Sequence, residues 1–233
     1  MEDEKLHPDN GNGSDDGDIP TLSSHTLAAL KEFLQDQGDG GWEQLQPCED
    51  GVRLVTEDWR LSQFWYDSET AKTVADEVIR LSSEYGDSSR VACISCPTLY
   101  AYIKKIDPTV TLQLLEYDTR FGQYGDEYTF YDYNKPEETP TQFMHSFHVV
   151  IADPPYLSKE CFEKVSKTIS LLATQGDSRI LLLTGDVQRS IAKELLGLHP
   201  CGFRPQHANK LGNEFRLFTN YDPGANLGGW KVE

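Results

Sequence analysis

The feature that most constrains this chain of 233 residues is an apolar run that ends in a proline-rich turn, Phe147–Tyr156. Phe147 to Ala152 has the composition of a strand buried on both faces of a parallel sheet. Because proline cannot donate a ladder hydrogen bond, the two prolines after Asp153 force the chain out of the sheet. The turn lies at the edge where open α/β sheets bind ligands. Its carboxylate, free carbonyls and tyrosine ring suit a substrate amine.

Strand-like and helix-like segments alternate along most of the chain, which predicts an α/β fold with a mostly parallel sheet and helices on both faces. Helices are predicted after Asp67 or Ser68, from Pro97, from Ser158 and around Val187. The last strand is expected to be antiparallel. The predicted strands are 90–95, 111–117, 128–133, 147–152, 180–184 and 214–221.

Three segments differ in composition. Residues 1–20 carry seven acidic residues and one lysine, with little to bury, and we expect a disordered acidic tail. Residues 21–55 read as a helical extension, capped near Thr21, and a glycine-rich linker at 38–51. The extension either packs on the main domain or recognises the substrate. Residues 56–233 are long enough for one α/β domain with its own core.

The net charge of −17 constrains the partners. A strongly acidic surface repels a phosphate backbone and favours basic proteins, so nucleic acid is disfavoured as a partner.

Five cysteines and the lack of a signal peptide indicate a reducing, cytoplasmic location. Cys93 and Cys96 form a lone pair without the spacing of a zinc site, and we expect no metal. No apolar run approaches the roughly 20 residues that span a bilayer, so no membrane association is expected.

The turn after the fourth strand resembles the catalytic motif of the amino-group methyltransferases. These enzymes move a methyl group from S-adenosylmethionine to an exocyclic base amine or a side-chain nitrogen. The resemblance implies that Asp153, Pro154, Pro155 and Tyr156 are the catalytic residues. An Asp-Pro pair also begins many ordinary turns, so four residues alone are a modest signal.

Polar residues at the other strand ends support a cofactor site. The turn after the first strand has no glycine, which excludes a standard dinucleotide fingerprint, although Ser95 and Cys96 are small enough for S-adenosylmethionine, which has no pyrophosphate. A carboxylate after the second strand, Glu116 or alternatively Asp118, can accept both ribose hydroxyls. The third predicted strand ends at Asp132 and Tyr133, where this fold places the adenine amine. Together these strand ends predict a methyltransferase.

An aromatic segment at 57–66 precedes the first domain helix. Its ordinary interpretation is core packing, because aromatic side chains bury large areas. The functional interpretation is a lid in which Phe64 or Trp65 stacks on adenine and Gln63 contacts polar edges of the cofactor.

Longer blocks resemble one eukaryotic family, first named for N6-adenine DNA methylation and later assigned as elongation factor 1A lysine methyltransferase 1. The similarity spans about Thr21 to Asp222 and leaves out the acidic tail. It implies a Rossmann-like class I S-adenosylmethionine-dependent methyltransferase with a seven-stranded sheet. The blocks are Leu61–Tyr66, Glu116–Asp118, Arg120–Phe121, Phe130–Asn134, Ile151–Ser158 and Asn213–Arg216.

The resemblance implies methylation of a lysine on translation elongation factor 1A by a cytoplasmic enzyme, which we expect to be a monomer. Asp153 would hold the amine and Tyr156 would stabilise its developing charge. The alternative is an N6-adenine methyltransferase in which the same turn clamps an extruded base. The acidic charge and the lack of any basic run longer than Lys104–Lys105 weigh against it. A non-catalytic module that kept the fold is a third possibility.

Overall fold

The computed structural model describes residues 45–47, 52–209 and 214–231. The described residues belong to one compact unit that begins at Gln44. The predicted acidic tail, the helix expected after Thr21 and most of the predicted linker lie outside the described residues.

The described strands are β1 (Leu45–Pro47), β2 (Arg53–Val55), β3 (Val91–Ile94), β4 (Leu112–Glu116), β5 (Tyr128–Phe130), β6 (Val149–Ala152), β7 (Arg179–Gly185), β8 (His199–Pro200) and β9 (Phe215–Thr219). Seven of them form one sheet in the order β5-β4-β3-β6-β7-β9-β8, which confirms the predicted mostly parallel architecture. Neighbours from β5 to β7 pair in parallel, whereas β9 is antiparallel to both β7 and β8. A separate antiparallel pair is formed by β1 and β2.

Four α-helices cover the sheet within the described ranges: α1 (Ser68–Glu84), α2 (Pro97–Ile106), α3 (Lys159–Leu172) and α4 (Arg189–Leu196). The helix starts predicted near Asp67 and Ser158 are confirmed, and the side chains of both residues cap their helices by accepting hydrogen bonds from the first turns of α1 and α3. Each cap satisfies a helix donor that would otherwise have no partner. None of these helices is long and apolar enough to cross a membrane.

The strands alternate between two hydrophobic cores, one on each face of the sheet. Val91 and Cys93 of β3 belong to the core that contains the apolar stripes of α1 and α2. Ala92 and Ile94 belong to the core that contains those of α3 and α4. This period of two follows from the pleat, which points successive side chains to opposite faces. The sheet is therefore buried on both sides, and its carboxyl edge is left open to ligands.

Short strands were missed, and the end of one predicted strand was wrong. Leu45–Pro47 pairs as β1 although it lies in the segment predicted as a linker, and the neighbouring Leu54 is only 2% exposed. The third predicted strand ends at Phe130 rather than at residue 133, so its last aromatic residues lie in a loop. The two-residue strand β8 was not predicted. Strands this short carry too few residues for an alternating pattern to identify them.

Candidate active site

A cavity of about 650 Å³ opens at the carboxyl edge of the sheet, beside the ends of β3, β4, β5 and β6. Its volume falls within the range of roughly 300–1,000 Å³ that is typical of small-molecule and cofactor pockets. The cavity brings together every predicted site residue except Asp118. The predicted residues that line it are Gln63, Phe64, Trp65, Ser95, Cys96, Glu116, Asp132, Tyr133, Asp153, Pro154, Pro155 and Tyr156.

Asp153 follows β6 directly, and its backbone N–H donates to the carbonyl of Ile94 at 3.0 Å. Its carboxylate oxygen Oδ2 accepts a hydrogen bond from the Tyr66 hydroxyl at 2.8 Å. Its other oxygen, Oδ1, has no hydrogen-bond partner among the described residues. Burial raises the pKa of Asp153 to about 8; the Tyr66 bond opposes this increase and the charge of Glu116 adds to it. A cation bound beside Asp153 would favour its ionised form.

Tyr156 presents its ring at the exposed end of the same turn. It is 42% exposed, whereas Pro154 is buried. Its ring centroid lies 6.0 Å from that of Tyr133, with the two planes at 65°. The Lys164 ammonium lies 5.9 Å from the Tyr133 centroid and donates to Asn134 at 2.8 Å. The turn therefore combines a shielded carboxyl group with an accessible aromatic pair.

Two acidic residues at the end of β4 have different environments. Glu116 is 7% exposed, lines the cavity and accepts a hydrogen bond from the Asp118 backbone N–H at 3.1 Å. Burial raises the pKa of Glu116 to about 7. Asp118 accepts from Arg120 at 2.6 Å and from the Gln63 amide at 2.8 Å. Burial opposes the ionisation of Asp118, but these bonds outweigh it and lower its pKa. Glu116 is the better placed of the two to accept ligand hydroxyls.

The side-chain amide of Gln63 forms hydrogen bonds within the protein. Its oxygen accepts from the Asp58 backbone N–H at 2.9 Å and from Arg120 at 3.1 Å, while its nitrogen donates to Asp118. Gln63 is only 6% exposed. In this structure it fixes the segment that forms one wall of the cavity, and its contact with a cofactor stays a prediction.

The glycine-free turn after β3 adopts a conformation that glycine usually supplies. Ser95 has φ = 53°, in the left-handed region that non-glycine residues rarely enter. Cys96 then precedes α2, with Pro97 in its first turn. Burial raises the pKa of the Cys96 thiol well above its usual value, so the thiol is neutral at the cavity wall. Within the described ranges, no group of three or more His, Cys, Asp or Glu side chains is arranged to hold a metal ion.

The cavity also contains residues that the sequence did not identify as functional. Tyr66 was part of the aromatic segment but was not assigned to the site, and its bond to Asp153 joins residues 87 positions apart. His207 and Phe215 also line the cavity. The aromatic density around Tyr66 was a usable signal. His207 lies in no motif, and only the folded chain brings it to the cavity.

Comparisons with known proteins agree with this geometry. The model of a family described as "Probable N6-adenine methyltransferase" matches residues 57–223. "EEF1A lysine methyltransferase 1" of Mus musculus is 47% identical over 91% of this chain and 96% of its own length. The Homo sapiens protein of the same name is 44% identical over 92% of this chain and 98% of its own length.

Among solved structures, a SAM-dependent methyltransferase from Aquifex aeolicus covers 70% of this chain and 93% of its own, with a TM-score of 0.41 and 10% identity. That likeness is too distant to support an argument. The family of this chain is shown by the matching family model and by relatives that align with it over nearly their whole length. The chain belongs to the family of "EEF1A lysine methyltransferase 1".

Proposed function

We propose that this protein is an S-adenosylmethionine-dependent protein-lysine N-methyltransferase that acts on translation elongation factor 1A. The observation that carries the reaction class is the turn after β6, which places the half-buried carboxyl group of Asp153 and the exposed ring of Tyr156 at one cavity. The names of the relatives support the protein substrate.

The cavity suits the proposed cofactor. The Glu116 carboxylate is buried, and the structure shows it accepting only backbone hydrogen bonds among the described residues. Ribose hydroxyls would supply the donors that such a buried acceptor requires. Ser95 and Cys96 would hold the part of the ligand near β3, and Asp132 and Tyr133 the part near β5. When bound, the cofactor would supply an electrophilic methyl group on a positively charged sulfur.

The protein residues would position the lysine amine for direct attack. A free lysine has a pKa of about 10.4 and must lose a proton before it can react. Burial next to a positive charge lowers that pKa. Oδ1 of Asp153 and the Pro154 carbonyl would accept hydrogen bonds from the amine and orient its lone pair. Asp153 thus orients the amine and is not required to act as a full base.

Tyr156 would stabilise the nitrogen as it becomes cationic. When bound, the cofactor would supply the methyl group and its sulfur would keep the bonding electrons, and the resulting ammonium would release its extra proton to solvent. A ring face attracts a cation by about 0.5–2 kcal/mol, depending on how far water is excluded. The exposed position of Tyr156 leaves its ring accessible to a side chain that extends from a folded protein.

Methylation of adenine is the competing function, and the description of the matching family favours it. The same turn would then hold a base extruded from a nucleic acid. The net charge of −17 weakens attraction to phosphate. The relatives named as lysine methyltransferases also weigh against it.

A transfer assay with labelled methyl groups separates the two functions. Purified elongation factor 1A, DNA and RNA would each be incubated with the enzyme and labelled S-adenosylmethionine, with Asp153→Ala as the inactive control. We expect label in the protein alone. Label in nucleic acid would overturn the lysine assignment.

We also propose that the enzyme is a cytoplasmic monomer. Its cysteine content supports the location, since the four described cysteines are all buried and unpaired. Light scattering on the purified protein and fractionation of cells that express it would test both statements. A stable dimer or a nuclear pool would contradict them.

A further inference from the structure

A short backbone contact connects the segment before α1 with the segment before β9. Tyr66 and His207 form an antiparallel bridge. The Asp67 N–H donates to the Gln206 carbonyl at 3.0 Å, and the Ala208 N–H donates to the Trp65 carbonyl at 2.9 Å. The backbone of Tyr66 is therefore held on both sides by residues far away in the sequence.

The ring of Tyr66 is held as well. It stacks on the ring of His207, with centroids 4.6 Å apart and planes at 29°. His207 in turn contacts Phe215 edge to face at 4.6 Å. Burial lowers the pKa of His207 to about 4, so its ring is neutral above pH 6. The charge of the stack therefore does not change in the pH range in which an enzyme of this kind would be assayed.

The Tyr66 hydroxyl is thereby aimed at the cavity, where it donates to Oδ2 of Asp153 at 2.8 Å. Tyr66 itself is only 5% exposed. We propose that Tyr66 is a positioning residue: its hydroxyl fixes Oδ2 of Asp153, so that Oδ1 is directed to the substrate amine, and His207 fixes the Tyr66 ring. This inference rests on the proposed function and extends it to two residues that have no assigned role.

The proposal has a consequence for pH dependence. The described titratable groups that influence the Asp153 carboxyl are Tyr66, Glu116 and Cys96. Glu116 and the neutral Cys96 do not donate to Asp153, whereas the Tyr66 hydroxyl favours the ionised carboxylate. Loss of the hydroxyl should therefore leave Asp153 protonated to a higher pH. A ring that serves packing alone would have no such effect.

The first test is Tyr66→Phe, which keeps the ring and removes the hydroxyl. We expect kcat for methylation of elongation factor 1A to fall about 10-fold to 100-fold near pH 7. This ratio corresponds to the free energy of one hydrogen bond to a charged group. The loss should shrink as the pH rises, while the Kd for S-adenosylmethionine changes less than about threefold. An equal loss of kcat at every pH would overturn the proposal.

Tyr221→Phe is the matched control. The Tyr221 hydroxyl also donates to a buried carboxylate, Oε1 of Glu77 at 3.0 Å, but neither residue lines the cavity. This variant should lower the melting temperature and leave the pH profile of kcat unchanged. If it shifts the profile as Tyr66→Phe does, the effect is not specific to Asp153 and the proposal fails.

The stack is tested with His207→Phe and His207→Ala. Phenylalanine keeps a flat ring against Tyr66, so this variant should retain most of the wild-type kcat. Alanine leaves the Tyr66 ring unsupported and should reproduce the pH-dependent loss of Tyr66→Phe. Equal activity of the two variants would remove His207 from the proposal.

A titration without substrate separates this proposal from the proposed function. Carbon-13 NMR of aspartate-labelled protein, with Asp153→Asn to assign the signal, would follow the Asp153 carboxyl in the wild type and in Tyr66→Phe. We expect a higher midpoint in Tyr66→Phe whether or not elongation factor 1A is a substrate. Identical midpoints would overturn the role of Tyr66, and an inactive wild type would overturn only the substrate.

Discussion

Glu116 and Asp118 lie two residues apart at the end of β4, yet the protein treats their carboxylates in opposite ways. Asp118 is bound by Arg120 at 2.6 Å and by Gln63 at 2.8 Å, and its pKa is lowered. Glu116 forms no ion pair with a described residue, and burial raises its pKa to about 7, although the charge of Arg120 opposes the increase. Asp118 therefore has its hydrogen-bond donors within the protein, whereas Glu116 can still accept hydrogen bonds from a ligand in the cavity.

Asp153 belongs with Glu116 in this comparison. It too faces the cavity, has no described basic partner and has a raised pKa, of about 8. A buried carboxylate without a cation destabilises a fold, so such groups usually have a function. Of the three acids, the two that line the cavity form no ion pair with a described residue, whereas Asp118 is paired with Arg120.

The largest expected effect is at Asp153. We expect Asp153→Ala to lower kcat about 1,000-fold, the upper range for removal of one positioned catalytic group, and to leave cofactor binding within about tenfold of the wild type. Asp118→Asn, the comparison variant, should lower kcat far less. Steady-state kinetics and calorimetric titration with S-adenosylmethionine measure both quantities. If Asp153→Ala retains substantial activity, the site assignment is wrong.

The next effect is on the pH dependence of stability. The folded pKa of Glu116, about 7, lies above the unfolded value of about 4.3, so the folded state binds more protons between these values. Its contribution to stability is therefore complete below about pH 4 and is lost as the pH rises to 7. The slope approaches about 1.4 kcal/mol per pH unit.

The variant Glu116→Gln should remove that slope from the ligand-free protein and stabilise it above pH 7. Asp118→Asn should act in the opposite direction, because a lowered pKa contributes stability that is lost as the pH falls. Chemical denaturation between pH 4.5 and 8 follows the contribution of Glu116, and the same measurement from about pH 4.5 down to about pH 2.5 follows that of Asp118. Parallel pH curves for the two variants would contradict the distinction between these acids.

A smaller effect on stability is expected when Asp118 loses its ion pair with Arg120 and so, like Glu116, has no such pair. Arg120→Met removes the cation and should lower the free energy of unfolding by about 1–2 kcal/mol, since the Arg120 side chain is 41% exposed and solvent screens part of the pair. Arg60→Met is a suitable control, because Arg60 pairs with Asp58 but is 81% exposed. Urea denaturation should show a loss for the first variant and almost none for the second.

The smallest expected effect is that of glycine at Ser95, in the turn after β3. Ser95→Gly should change the free energy of unfolding by less than about 0.5 kcal/mol, because relief of the left-handed conformation is offset by the flexibility of glycine. Ser95→Val should cost about 1–2 kcal/mol, since a branched side chain resists positive φ. Similar thermal stability of the two variants would show that φ at this turn is not restrictive.

The sequence was sufficient for the sheet and for the residues at its carboxyl edge, because apolar runs and the turns that end them are local patterns. It was not sufficient for the partners of those residues. The bonds from Tyr66 to Asp153 and from Gln63 to Asp118 join positions 87 and 55 residues apart. No local pattern encodes such pairs, which arise only when the strands are placed side by side. The sequence favoured Glu116 over Asp118 as the acid that binds a ligand, but the physical difference between them becomes visible only in their hydrogen bonds.

The position of β9 has a consequence for synthesis of the protein. It is the last strand of the sheet along the chain, yet it lies between β7 and β8. A nascent chain that has emerged only as far as β8 leaves the apolar strand β7 without the neighbour it pairs with in the folded protein. Unpaired strand edges of this kind pair with other chains and lead to aggregation. The nascent chain therefore most needs a chaperone in the interval before β9 emerges.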